Sequence, residues 1–173
     1  RKVTALAMQG VKGWGPRTVS RLWRAFGSID QILNAPVSAI AAVTGESELV
    51  AAARIRSLDR KGARSDVRHL ERLGGSVVTL FDADYPALLA GIDDPPVTLR
   101  CLGSPAVLNH DPVISVVGAR RCSAIGIDLA ARFSAALCEA GYAICSGGAI
   151  GVDAAAHRAA LRRGRPTIAV LGS

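Results

Sequence analysis

Aromatic side chains are scarce: two Trp, two Tyr and three Phe make up 4% of the 173 residues. That excludes a nucleic-acid platform whose affinity comes from several bases stacked on exposed rings. No apolar run approaches the ~18 residues of a membrane-spanning helix, and no signal peptide opens the chain. A cytoplasmic protein with no membrane partner is expected. The four cysteines, Cys101, Cys122, Cys138 and Cys145, form no C-x-x-C pair. Neither a zinc site nor a disulfide framework is expected, no cofactor is required, and a reducing compartment fits. The chain starts at Arg1 rather than at a methionine, which points to a fragment or a processed chain.

What is present is aliphatic and basic. A hydrophobic share of 50% against 20% charged residues marks a chain that buries a core. Its length has room for one large or two small domains. The formal net charge is +7. Residues 1–72 carry 13 Lys and Arg against 6 Asp and Glu, whereas residues 73–173 carry 8 of each. All the excess is N-terminal, where it favours a polyanionic partner.

The two halves also differ in hydrophobic period. Val19, Leu22, Trp23 and Phe26 recur at helical spacing after Pro16, which suits a first helical position because its missing N–H has no partner there anyway. Gly27 ends that helix, short helices follow over 29–33 and from 37 to Gly45, and the arginine-rich stretch 46–72 is helical with one exposed side. Residues 1–72 are expected to form a small helical domain. Beyond Gly74-Gly75, short β-type runs at 77–80 and 97–102 flank the turn chemistry of Tyr85-Pro86 and Asp94-Pro95-Pro96. From Pro112 the order is strand 113–117, helix 124–140, strand 142–145, helix 151–162 and strand 167–171. Such a βαβαβ series makes a parallel sheet, and near-continuous apolar strands predict helices on both faces, so residues 73–173 are expected to form an α/β domain.

The chemistry-bearing motifs lie at the ends of those strands. Ser146-Gly147-Gly148-Ala149-Ile150-Gly151 follows a buried strand and precedes a helix, so backbone N–H groups and the helix N-terminus converge as a phosphate cradle. Its G-G-x-x-G spacing is not the dinucleotide fingerprint. The preceding βα turn reads Gly118-Ala119-Arg120-Arg121-Cys122-Ser123 and opens over the same crevice. Arg120 and Arg121 offer bidentate phosphate contacts, and Ser123 and Ser146 offer hydroxyls, although Ser123 also suits a helix N-cap. The phosphate-binding candidates are therefore Gly118, Arg120, Arg121, Ser123, Ser146, Gly147, Gly148 and Gly151. Asp153 and His157, four apart on one helix face, come with no nucleophile, metal cluster or second carboxylate, so no catalytic residue is assigned. In the first half, Gly13-Trp14-Gly15 ahead of a helix carrying Arg17 and Arg21 resembles a helix-hairpin-helix with Lys12 in place of its usual proline. Lys12, Gly13, Gly15, Arg17 and Arg21 are secondary DNA-contact candidates.

The halves together resemble the DNA-processing protein A family (DprA, also called Smf). The resemblance rests on Asp84-Tyr85-Pro86 with Leu88-Leu89, Asp94-Pro95-Pro96 leading to Leu102-Gly103, Val116-Val117-Gly118-Ala119-Arg120, Ser146-Gly147 through Gly151-Val152-Asp153-Ala154-Ala155-Ala156-His157, and Thr167-Ile168-Ala169-Val170-Leu171-Gly172. It implies a Rossmann-like parallel sheet preceded by a helix-hairpin-helix or SAM-like helical domain. It also implies a non-enzymatic protein that binds and protects incoming single-stranded DNA in natural transformation, helps load the recombinase RecA, and dimerises at full length. Arg120 and the glycine loop would line the DNA pocket. Where the family carries an arginine this chain has Ile150, which removes one expected phosphate contact, and the chain ends where the family's sheet normally continues. The competing reading is a nucleotide-processing enzyme resembling the cytokinin-activating phosphoribohydrolases, which require acidic catalytic residues beside the phosphate loop; here Asp153 is the candidate.

Overall fold

A computed structural model describes residues 1–172, which fold as two compact units dividing between Pro105 and Ala106. The first unit opens with α1 (Lys2–Gln9), α2 (Pro16–Phe26), α3 (Ile29–Asn34), α4 (Val37–Thr44), α5 (Glu48–Arg56) and α6 (Arg60–Arg72). Local chemistry sets most of these bounds. Pro16 opens α2, and Gly27 closes it with a left-handed φ of 73°. Ser28, Ser47 and Asp59 cap α3, α5 and α6 by accepting from the N–H groups of Gln31, Val50 and Gly62. The helical, arginine-rich stretch expected over 46–72 consists of two helices, separated by the Ser57 C-cap and the Asp59 N-cap.

The helices enclose Met8, Trp14, Val19, Leu22, Ile32 and Ile40. Burying an aliphatic chain of this size contributes ~1.5–3 kcal/mol each. Two further strands, β1 (Gly75–Thr79) and β2 (Thr98–Leu102), pair antiparallel with Gly75 opposite Leu102 and Thr79 opposite Thr98, and the short α7 (Ala87–Ala90) lies between them. This hairpin packs on α1 and α6. Val97, just before β2, is fully buried in the cluster that holds Trp14. The division by packing falls at 105/106, beyond the domain boundary expected at 72/73: the secondary structure changes type after Arg72, but the buried cluster continues to Val97.

The second unit contains β3 (Val113–Ser115), α8 (Ala124–Glu139), β4 (Ala143–Ser146), α9 (Val152–Arg162) and β5 (Thr167–Ala169). Its strands run parallel in the order β3-β4-β5, with Val113 opposite Ala143 and Ile144 opposite Thr167. Helices α8 and α9 pack on each other and on β4. Small residues line both sides of that contact, Ala130, Ser134, Ala135 and Cys138 on α8 and Ala155, Ala156, Ala159 and Ala160 on α9, so the helices approach closely. Sequential neighbouring strands with crossovers of one hand put both helices on the same face. The expectation of helices on both faces is not met among the described residues of this unit.

Candidate nucleic-acid interface

The site is built where β3 and β4 end. The Val116 N–H donates to the Cys145 carbonyl at 2.9 Å, extending the β3–β4 ladder, and each chain then turns outward. The turn after β3 (Gly118 to Ser123) closes on the start of α9: the Val152 N–H donates to the Ala119 carbonyl at 3.4 Å. A Cβ on Gly118 would lie 2.7 Å from the Val152 side chain. A Cβ on Gly151, whose φ is +90°, would overlap the Ala119 carbonyl oxygen and sit 2.7 Å from that of Arg120. Glycine at 118 and 151 is what lets the two βα turns meet. Arg120, Arg121, Gly118 and Gly148 are all exposed along this meeting line.

No side chain caps α9, and its N-cap is Gly151. The Val152 N–H is taken by the Ala119 carbonyl, no side chain takes the amides that follow it, and the helix end carries partial positive charge. Asp153 sits in that first turn, is 92% buried with 8% exposure, and has its Oδ2 2.7 Å from the position a Gly147 Cβ would take. Its carboxylate takes up part of the helix-end potential.

His157 reaches the same loop from the next turn. Its Nε2 lies 2.8 Å from the Gly147 carbonyl and its Nδ1 2.7 Å from Thr167 Oγ1, which in turn is 2.9 Å from the Ile144 carbonyl. A carbonyl only accepts, so Nε2 carries the hydrogen. In a trans peptide the N–H points opposite to the C=O, so anchoring the Gly147 carbonyl on His157 points the Gly148 N–H away from His157. His157 is thus part of the framework that shapes the cradle. The i, i+4 spacing of Asp153 and His157 was visible in the sequence; their common neighbour, Gly147, was not.

Two candidates have other duties. Ser146 is 3% exposed and donates inward to the Val116 carbonyl at 2.5 Å, so its hydroxyl proton braces the two strands instead of facing a ligand. Ser123 is the α8 N-cap, accepting from the Gly126 N–H at 3.1 Å. In the first unit the hairpin is also largely internal. The Lys12 carbonyl accepts from Arg54, whose guanidinium fills the space beside Gly13. Arg54 pairs with Glu46 at 2.9 Å, and the Trp14 indole N–H donates to Glu46 at 3.4 Å. Trp14 is buried, Arg21 donates to the Thr44 carbonyl at 3.3 Å, and Arg17 lies 4.0 Å from Asp94. Gly15 has open space around it.

Among the described residues no helix is long and apolar enough to cross a membrane, and no cluster of three His, Cys, Asp or Glu residues has metal-binding geometry.

Known proteins show the same architecture. The family profile of DNA recombination-mediator protein A matches residues 76–173. The Smf protein of a Synechocystis strain is 32% identical over 97% of this chain and 43% of its own length. A putative DNA processing protein DprA of Mycobacterium tuberculosis is 40% identical over 67% of this chain and 32% of its own. The crystal structure of DNA processing protein A (DprA) from Streptococcus pneumoniae superposes with a TM-score of 0.77 at 29% identity, over 98% of this chain and 56% of that one. The chain thus spans less than half the length of these curated relatives. Matched by profile across its α/β half and by sequence and fold across nearly all of its length, the chain belongs to the DNA recombination-mediator protein A family, that of the DprA and Smf proteins.

Proposed function

We propose that the paired βα turns form a sequence-independent binding surface for single-stranded DNA, and that the whole protein uses it to protect incoming DNA and to pass it to the recombinase RecA. The observation that carries this reading is the closure of the Arg120 turn on Gly151 at the uncapped start of α9. It gathers exposed guanidinium groups, the exposed Gly148 backbone and a helix N-terminus at one strand end, a set that suits phosphate oxygens. Cytoplasmic location, non-enzymatic action and dimerisation at full length belong to the same proposal.

The test is titration of labelled oligo-dT at fixed salt. Arg120→Ala should weaken binding about ten- to a hundredfold, equivalent to ~1.5–3 kcal/mol for a lost charge-assisted contact. His157→Ala should cost less, because it acts only through the loop it holds. Circular dichroism must show both variants folded. Equal affinities for wild type and Arg120→Ala would place the DNA elsewhere. Hydrolysis of nucleoside monophosphates by the wild type, abolished by Asp153→Asn, would favour the phosphoribohydrolase-like reading instead.

A further inference from the structure

Helix α6 has two unlike sides. Ala63, Val67 and Leu70 face inward, packing with Leu6, Ala7 and the hairpin side of the first unit. The outer side carries Arg60, Lys61, Arg64, Arg68 and Arg72, all exposed and recurring every three or four residues. At 1.5 Å per residue this row runs ~18 Å along the axis, with successive cations ~4–6 Å apart. It borders an open groove of about 840 Å³ lined by Lys61, Arg64, Ser65, Arg68, Glu71 and Arg72.

The charges of this row are left uncompensated. Among the described residues, none of the five cations has a carboxylate within 4.0 Å, whereas Arg54 pairs with Glu46 and Arg100 with Asp66. The nearby acids are otherwise engaged: Asp66 holds Arg100 at 3.2 Å, and Asp59 accepts the Gly62 N–H at 2.8 Å as the helix cap. Glu71 is the acid in the groove, facing four cations. Arg17 lies 4.0 Å from Asp94 and Arg21 donates to the Thr44 carbonyl, whereas α6 sets five cations without a carboxylate partner on one helix face.

We infer that the outer face of α6 is a second nucleic-acid surface, a rail that grips successive phosphates of one sugar–phosphate backbone without reading bases. Four of its five cations are arginines, whose planar fork fits phosphate oxygens bidentately. No aromatic side chain lines the groove, so bases have no stacking platform there. A lipid surface fits poorly, because the apolar side of α6 is spent on the core and none is left to insert. The rail lies in the first unit and does not depend on the βα turns of the second.

The experiment titrates labelled oligo-dT against the full chain across a range of salt concentrations. Arg64→Gln with Arg68→Gln should weaken binding at least fivefold at low salt. The same pair should flatten the log–log salt slope by ~1.4, since each phosphate on a single strand contributes about 0.7. Arg64→Lys with Arg68→Lys should keep most of the slope. Arg56→Gln with Arg132→Gln, which removes equal charge from other exposed positions, should leave it unchanged. An unaltered slope in the α6 Gln pair, or an equal change in the control pair, would overturn the rail. So would competition by poly-glutamate as effective as oligo-dT at equal charge, which would mark a surface for acidic protein. Arg120→Ala run in parallel separates the two sites: a rail failure leaves its effect intact, and a failure of the βα-turn site leaves the α6 effect intact.

Discussion

Tyr85 illustrates how one side chain couples a turn to solution conditions. It is 5% exposed, and its hydroxyl donates to the Pro96 carbonyl at 2.7 Å, tying together the two ends of the connection between β1 and β2. Burial pushes its phenol from the ordinary 10.0 up to about 12. The folded state therefore holds this proton more tightly than the unfolded chain does. The resulting stability is fully present below pH 10 and is lost as pH rises through 12, amounting to about 2–3 kcal/mol across that window. Tyr85→Phe should be less stable than wild type at pH 9, because the Pro96 carbonyl loses its donor. Urea unfolding at pH 9 and at pH 11.5 should show that gap narrowing at the higher pH. A gap of constant width would mean that the phenol does not titrate with unfolding.

Among elements, the meeting of the two βα turns depends on backbone that only glycine adopts. Gly151 has φ +90° and ψ −129°, and its missing side chain is filled by the carbonyls of Ala119 and Arg120. An alanine there combines a strained backbone, worth ~1–3 kcal/mol, with a steric clash that must push the Arg120 turn away. Gly151→Ala should destabilise the second unit by about 2–4 kcal/mol and weaken oligo-dT binding in the variant that remains folded. Gly15, at φ −71° with nothing within 4 Å of its virtual Cβ, serves as the control. Gly15→Ala should cost no more than about 1 kcal/mol, the difference between glycine and alanine at a helix N-cap without strain or clash. Thermal melts of both variants decide the matter; equal melting temperatures would show that the turns can separate without cost.

At the scale of the molecule, the division between Pro105 and Ala106 makes a claim about folding. Val97 is 0% exposed in the cluster of Trp14 and Leu22, and Leu70 of α6 would touch a Cβ at Gly75 on β1. Residues 1–105 should unfold in one cooperative transition. Residues 1–72 lack Val97 and the hairpin that covers α1 and α6, so they should retain helical circular dichroism but melt broadly. A sharp transition of residues 1–72 at the same temperature would restore the boundary expected from secondary structure alone.

The sequence by itself determined the helical first half, the βαβαβ series and its parallel sheet, the glycine loop before α9 and the family resemblance. These are signals of short range: hydrophobic period, caps, and glycines where a strand turns into a helix. Its composition also located the surplus charge in residues 1–72. Tertiary structure alone decided that Trp14 is core, that Ser146 braces strands, that His157 holds the Gly147 carbonyl, and that the hairpin belongs with the helices. It also decided which arginines find carboxylates and which, on α6, do not. Each of these depends on a partner distant in the chain, as with Arg54 beside Lys12 or Arg100 beside Asp66. Local propensity carries no information about which distant partner a side chain meets, because that meeting is set by how the elements pack.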